Sequence, residues 1–270
     1  MATYAAQIDR MDQGIGRILE KVRELGAEDN TLIMFLSDNG GCAEFLAEDT
    51  SKPDPMEFDT PMWNGERMRM GNLPDIDPGP ADTFQSYDLP WANASNTPFR
   101  LHKRWVHEGG ISTPAIINWP AEFKSTRLVH EPTHIVDIAA TIYDVADVEY
   151  PTALNGNDLT PLEGHSFRKA IENGGWVRPA PIFWEHEGNR AVRLGDWKLV
   201  SEGNTVWELY NMKVDRTELN DVSVEQPEVL ARMIQMYEDW AERIGALPWL
   251  VIPEATAPPR VGTKHIHDVG

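Results

Sequence analysis

An acidic, amide-bearing turn follows the first strongly apolar segment of the chain. Five apolar residues, Leu32 to Leu36, run directly into Ser37-Asp38-Asn39-Gly40-Gly41. The unbroken run predicts a strand buried on both faces of an α/β sheet, and such sheets bind ligands beyond the carboxyl ends of their strands. The carboxylate of Asp38 and the amide oxygen of Asn39 suit a hard cation, Ca²⁺ or Mg²⁺. All these residues are also common in ordinary turns, so a plain turn stays open as the alternative.

A second stretch concentrates positive charge in an otherwise acidic chain. Basic side chains crowd between Arg100 and His107, and Glu108-Gly109-Gly110 follows them as a turn. The crowding predicts a local electropositive spot. Lys103, five residues before the turn, can bind an anion as a point charge, in the way that phosphate-binding lysines do. A solvated surface lysine is the alternative.

Apolar periodicity predicts the elements that position these residues. Residues 3–25 carry an apolar stripe at spacings of three and four, which predicts a helix lying on the sheet. Residues 134–145 predict a second helix on the sheet, on whose first turn Asp137 is interpreted as a capping residue rather than as a metal ligand beside His134. Residues 42–96 lack periodicity, and a connection this long is typical of a functional lid or rim.

The pattern changes after Asn173-Gly174-Gly175, which we interpret as a domain boundary. Short strands separated by glycine-containing turns predict an antiparallel meander at Ile182–Glu185, Ala191–Leu194, Trp197–Val200 and Trp207–Tyr210. A helix beginning at Pro227 follows the meander. The predicted organisation is an α/β layer at residues 1–173, an α+β subdomain at 174–252 and a tail at 253–270.

Composition limits the classes of partner. The formal net charge is -19, which argues against a nucleic-acid partner, and no apolar run is long enough for a transmembrane helix. The sequence leaves the compartment open, since the first twenty residues lack the regions of a signal peptide but an upstream portion is expected to be missing. The single cysteine, Cys42, excludes an internal disulfide and is interpreted as a packed small residue, because no base or cation lies near it in the sequence.

Taken together, these stretches resemble the type I sulfatases, the formylglycine-dependent arylsulfatase family of the alkaline-phosphatase-like fold. The resemblance rests on Ser37–Gly41, on Lys103 ahead of Glu108-Gly109-Gly110 and Pro114, on Trp91–Arg100 and on Trp184–Arg193. It covers most of the chain. It implies the C-terminal part of an alkaline-phosphatase-like α/β sheet with helices on both faces, followed by a small α+β subdomain with an antiparallel sheet and one helix.

The resemblance also implies roles for particular residues. Asp38 and Asn39 would bind Ca²⁺, and Lys103 would contact the sulfate as the substrate-binding catalytic residue. Glu108-Gly109-Gly110 would shape the turn without taking part in the chemistry. The family's Cys-x-Pro-x-Arg motif, whose cysteine becomes formylglycine, is absent, because the only cysteine stands in Cys42-Ala-Glu-Phe-Leu46. The chain is therefore expected to be the C-terminal half of the catalytic domain, with the formylglycine and further metal ligands in an N-terminal half.

The function implied by this resemblance is Ca²⁺-dependent hydrolysis of a small-molecule or carbohydrate sulfate monoester. The isolated chain is expected to lack turnover and to bind Ca²⁺ weakly, since two oxygen ligands fall short of the roughly six to eight that Ca²⁺ prefers. Two alternatives stay open. One is a phosphomonoester or phosphonate-ester hydrolase of the same superfamily, and the other is a non-catalytic carbohydrate-binding module.

Overall fold

The fold is taken from a computed structural model, which describes residues 1–44, 62–123, 126–173, 176–203 and 205–249. Its helices are α1 (Ala2–Glu24), α2 (Asp88–Asn96), α3 (Glu108–Ile111), α4 (Val136–Val145), α5 (Arg168–Asn173) and α6 (Pro227–Ile244), with a 3-10 turn at Glu28–Asn30. Its strands are β1 (Ile33–Leu36), β2 (Arg69–Met70), β3 (Thr83–Phe84), β4 (Ala115–Asn118), β5 (Ala153–Leu154), β6 (Asn157–Asp158), β7 (Ile182–His186), β8 (Asn189–Leu194), β9 (Trp197–Ser201) and β10 (Glu208–Asn211). The predicted tail and the glycines of the predicted domain boundary lie outside the described residues. In the described ranges, no helix has the length and apolar character needed to cross a membrane.

The first strand pairs with a distant partner and is partly buried on one face. β1 runs antiparallel to β4, with Met34 opposite Ile117 and Phe35 opposite Ile116. Met34 and Ile117 pack against a core cluster formed by Phe167, Ala170 and Trp176. On the other face, Phe35 is 43% exposed and Ile116 is 64% exposed, so the prediction of a strand buried on both faces is wrong for this chain. An apolar run records which residues can be buried, but burial also needs a layer on each side of the sheet, and the described residues cover only one.

The predicted N-terminal helix is present as α1, but it does not bury its apolar stripe. None of its residues is buried, and Ile18 is 66% exposed. Its contact near the candidate site is Tyr4, whose ring stacks on that of Tyr87 with centroids 4.9 Å apart. The periodicity correctly predicts the helix and its apolar face, but a packing partner for that face depends on tertiary structure.

The long segment predicted to lack regular structure contains one helix among its described residues. α2 spans Asp88–Asn96 and buries Ala92 completely. Its sequence has a proline in the first turn and little apolar periodicity, which is why the pattern did not predict it. Among the aromatic residues of this segment, Tyr87 fixes it to the turn after β1, because its hydroxyl accepts the Cys42 N–H. Trp63 is fully exposed.

The C-terminal part has the predicted antiparallel meander backed by a helix. The strand order is β10-β9-β8-β7, and the strand ends lie within two residues of the predicted ones. α6 has Pro227 in its first turn and ends at Gly245, whose φ of 71° is left-handed. The core between the sheet and α6 contains Val192, Leu199, Leu209, Met233 and Tyr237. The predicted fold class, mixed α/β followed by a small α+β unit, is confirmed.

Candidate functional site

The turn after β1 presents its carboxylate to solvent. Asp38 is exposed, and its Oδ1 accepts the backbone N–H of Asn39 at 3.0 Å. The Asn39 side-chain nitrogen donates to the carbonyl of Gly40 at 2.8 Å, so the amide oxygen is the atom that Asn39 can offer to an external group. Ser37 Oγ donates to the Asn39 carbonyl at 3.0 Å and tightens the turn. The turn therefore offers a carboxylate and an amide oxygen close together, the donor set that suits a hard cation.

Backbone hydrogen bonds hold the lysine stretch against this turn. The Lys103 N–H donates to the carbonyl of Gly41 at 2.9 Å, and the Gly40 N–H donates to the carbonyl of Gly110 at 2.9 Å. A Cβ added at Gly40 would lie only 1.7 Å from the Gly109 carbonyl oxygen. This approach is possible only because the position has no side chain. The two stretches singled out in the sequence are thus neighbours, although sixty-odd residues of chain separate them.

Lys103 is engaged by a carboxylate that sequence reasoning missed. Its Nζ lies 3.0 Å from Glu44 Oε1, in a pair whose side chains are 42% and 51% exposed. The hydrogen bond to Glu44 raises the pKa of Lys103, and the charge of Asp38 adds a smaller effect in the same direction. The hydrogen bond from Lys103 lowers the pKa of Glu44. The ammonium therefore stays charged at neutral pH and is already paired with an anion. The one sequence signal that could have identified Glu44 is its position three residues after the Ser37–Gly41 turn.

Cys42 lies between the turn and this ion pair. Burial raises the pKa of its thiol above the ordinary cysteine value, and a side-chain hydrogen bond with Glu44 acts in the same direction. A thiol that keeps its proton is a poor nucleophile. Its backbone N–H donates to the Tyr87 hydroxyl at 3.0 Å, which gives the residue a packing role. These contacts support the interpretation of Cys42 as a packed residue.

The basic side chains of the predicted electropositive spot are paired with carboxylates from both the N-terminal and the C-terminal parts of the chain. Arg100 lies 3.4 Å from Glu208, and Arg104 lies 2.5 Å from Glu187. Lys103 is paired as described above. The sequence predicts an electropositive spot from the cations alone, and it does not show the carboxylates that folding brings to them.

A cavity of about 460 Å³ opens beside the turn. Its wall is formed by residues from the end of β1, from α2 and from the segment after α3, among them Ser37, Asn39, Tyr87, Asn96 and Ser112. Asn96 fixes the turn to this wall, since its side-chain oxygen accepts the Gly41 N–H at 2.7 Å. The volume lies within the range of about 300–1,000 Å³ that is usual for small-ligand pockets. Asn39 thus borders both the cation-type turn and the cavity.

The second candidate metal position, His134 with Asp137, is used for structure. Asp137 is completely buried, and its oxygens accept the backbone N–H groups of His134 at 2.7 Å and His165 at 2.8 Å. Arg178 binds the same carboxylate through two nitrogens. The preference for a local structural role at Asp137 therefore agrees with its contacts. Among the residues that the structure describes, no group of three or more His, Cys, Asp or Glu side chains is arranged to hold a metal ion.

Comparison with known proteins places these features in a family context. A family model described as Sulfatase matches residues 1–148, and a model described as N-sulphoglucosamine sulphohydrolase, C-terminal, matches residues 99–243. An uncharacterized sulfatase of Schizosaccharomyces pombe is 32% identical over 247 residues, which are 88% of this chain and 42% of the relative. An arylsulfatase of Klebsiella aerogenes is 31% identical over 169 residues, which are 62% of this chain and 33% of the relative. The chain thus spans less than half the length of these relatives.

Solved structures share the fold. The crystal structure of BT4656 in complex with its substrate D-glucosamine-2-N,6-O-disulfate superposes with a TM-score of 0.58 at 21% identity. The match covers 91% of this chain and 41% of that one. Similarity at this level of identity establishes the architecture only.

Proposed function

The chain belongs to the sulfatase family, and we propose that it supplies the cation-binding turn and the anion-binding lysine of an arylsulfatase-type sulfuric ester hydrolase. The observation that carries the proposal is the pair of backbone hydrogen bonds that hold the Lys103 stretch against the turn bearing Asp38 and Asn39. A cation site and an ammonium on adjoining backbone segments form an arrangement suited to the sulfuryl group of a sulfate monoester, whose three non-bridging oxygens share the negative charge.

In this proposal, each residue has a distinct task. Asp38 and Asn39 would hold a Ca²⁺ ion, with Mg²⁺ as the other hard cation that oxygen ligands suit. When bound, such an ion neutralises negative charge on the non-bridging oxygens of the ester. Lys103 donates a charge-assisted hydrogen bond to the same anion as its substrate-binding catalytic residue. Glu44 competes with a sulfate ester for the Lys103 ammonium, because both anions draw on its three N–H donors.

The nucleophile is expected from outside this chain. The sole cysteine, Cys42, lies outside a Cys-x-Pro-x-Arg motif, and its raised pKa keeps the thiol protonated. A formylglycine in an N-terminal half remains our expectation, from the resemblance to type I sulfatases. We therefore expect no hydrolysis of an aryl sulfate by the isolated chain. Measurable turnover that Lys103→Ala abolishes would contradict this part of the proposal.

Anion binding tests the proposal without requiring turnover. Calorimetric titration of the full chain with sodium sulfate in the presence of Ca²⁺ is expected to show binding. Lys103→Ala should weaken this binding about tenfold or more, since a hydrogen bond from a charged group contributes about 1.5–3 kcal/mol. Lys21→Ala is the matched control, because Lys21 is an exposed lysine of α1 that is also paired with a glutamate. Equal sulfate affinity in the wild type and both variants would refute the role of Lys103.

Further titrations separate the alternatives. Inorganic phosphate in place of sulfate tests the phosphoester alternative, which predicts tighter binding of phosphate. A sulfated carbohydrate is the substrate class to try first, since BT4656 was solved with D-glucosamine-2-N,6-O-disulfate. A sulfate-binding site should prefer this disulfate to unsulfated glucosamine and lose affinity in Asp38→Ala. A carbohydrate-binding module should bind both sugars equally and be indifferent to that substitution.

A further inference from the structure

A buried ionic cluster joins the C-terminal sheet to α3, where the structure has a short helix in place of the predicted Glu108-Gly109-Gly110 turn. Lys198 on β9 is fully buried, and its Nζ lies 2.8 Å from Glu108 Oε1 and 2.7 Å from Glu218 Oε1. Glu218 is also fully buried, and Glu108 is 6% exposed. The second Glu218 oxygen accepts the backbone N–H of Glu108 at 2.8 Å. Lys198 and Glu218 therefore hold both the side chain and the backbone at the start of α3.

The cluster places charged side chains in a buried position that apolar residues could also fill. Burial alone would raise the pKa of Glu108, but the charge of Lys198 and the hydrogen bond from it outweigh this, so that the pKa lies below the ordinary value. Arg216, which is half exposed, adds a cation 3.7 Å from the same carboxylate. Buried ion pairs contribute little net stability compared with apolar packing, but their directional contacts hold the partners in one geometry.

α3 transmits this geometry to the candidate site through the backbone. The Gly40 N–H donates to the carbonyl of Gly110, and the Gly109 carbonyl lies where a Cβ of Gly40 would be. A shift of α3 therefore moves the turn that carries Asp38. Since Lys103 is bonded to the other end of the same turn, a shift also changes how its ammonium faces the Asp38 carboxylate.

We propose that Lys198 is a positioning residue for the sulfate-binding site, acting through Glu108 and α3 on the Asp38 turn. Lys198 does not touch the anion. It keeps α3 seated so that Gly40 and Lys103 retain their backbone hydrogen bonds. The inference rests on the proposed function of Lys103, and it assigns to the C-terminal sheet a part in that function.

Two readouts on the full chain test this proposal. The first is sulfate affinity by calorimetry, and the second is amide hydrogen exchange at Gly40 and Lys103, which measures the two backbone hydrogen bonds directly. In Lys198→Met, we expect the sulfate Kd to rise about three- to tenfold. The reason is that the Lys103 ammonium is displaced and partly loses its hydrogen bond to the sulfate. Exchange at both amides should accelerate about tenfold or more. Lys198→Arg keeps the positive charge and should restore part of the sulfate affinity that Lys198→Met loses, with some cost from the larger guanidinium in a fully buried position.

Arg178→Met is the matched control for a general loss of stability. It also removes a buried cation from a fully buried carboxylate, Asp137. This pair lies at the start of α4, and within the described part of the chain the Asp137 carboxylate bonds to Arg178 and to the backbone of His134 and His165, none of which belongs to α3. Arg178→Met should lower the melting temperature while leaving the sulfate Kd and both amides unchanged. If Lys198→Met prevents folding, Glu108→Ala replaces it, since Lys198 then keeps Glu218 as a partner and only the link to the α3 side chain is lost.

The outcomes separate this inference from the proposed function. Equal effects of Lys198→Met and Arg178→Met on both readouts, or no effect of Lys198→Met on either, would overturn the positioning role. Sulfate binding that is indifferent to Lys103→Ala would instead refute the proposed function. In that case, the exchange rates at Gly40 and Lys103 still decide whether Lys198 positions the turn.

Discussion

Replacing Gly40 by alanine tests the contact on which the candidate site depends. The added Cβ would lie 1.7 Å from the Gly109 carbonyl oxygen and 2.8 Å from its carbonyl carbon. Side-chain Cβ atoms essentially never approach other atoms closer than 3.0 Å. The two backbone segments must therefore separate by about 1.3 Å at this point, and a backbone atom cannot move aside as a side chain can.

The expected cost combines two effects. Overpacking a close contact costs about 1–3 kcal/mol, and weakening the adjoining hydrogen bond from the Gly40 N–H to the Gly110 carbonyl adds about 0.5–1.5 kcal/mol. We expect Gly40→Ala to lower the free energy of unfolding by about 1.5–4.5 kcal/mol, which is the sum of these two ranges. The same separation moves Lys103 away from the turn, so sulfate affinity should fall in parallel with stability.

Urea unfolding followed by circular dichroism measures this loss, with Gly16→Ala as the control. Gly16 lies in the middle of α1, and a Cβ there meets no atom within 4 Å. Since alanine is the better helix former, this identical substitution should stabilise the chain by about 0.5–1 kcal/mol. A Gly40→Ala variant as stable as the wild type, with unchanged sulfate affinity, would refute the backbone contact between the two stretches.

Three further outcomes follow from individual side chains. Glu44→Gln removes the carboxylate that competes for Lys103, so sulfate should bind about two- to fivefold tighter, as expected for an exposed ion pair worth up to about 1 kcal/mol. The control is Glu163→Gln, which removes an exposed carboxylate from its ion pair with Arg243 and should leave the sulfate affinity unchanged. If both substitutions change the sulfate affinity equally, Glu44 does not compete with sulfate for Lys103. Iodoacetamide should alkylate Cys42 slowly at pH 7 and faster as the pH rises, because its raised pKa delays formation of the thiolate; mass spectrometry showing rapid labelling at neutral pH would contradict this. Arg178→Met should destabilise the chain by about 3–5 kcal/mol in urea unfolding, since it leaves a buried carboxylate without its cation; a loss below 1 kcal/mol would show that this charge is not effectively buried.

Much of the local structure was predictable from short stretches of sequence. The apolar run before Ser37–Gly41 predicts β1, and the Asn and Gly residues after it predict the turn that ends the strand. Glycine-containing turns between short apolar segments predict the C-terminal meander, and Pro227 with Gly245 predicts both ends of α6. These features are local because backbone conformation and periodicity depend on neighbouring residues.

Tertiary structure alone decided which distant groups meet. Glu108 appears in the sequence only as part of a turn, yet its carboxylate binds Lys198, ninety positions away. Glu44 and Lys103 become partners across fifty-nine positions, and β1 finds its partner in β4. No short-range pattern records such pairs, because any carboxylate can pair with any ammonium and the path of the whole chain selects which ones do. The sequence by itself therefore determined which residues are chemically suited to this site, and the fold determined their mutual positions and the charges that surround them.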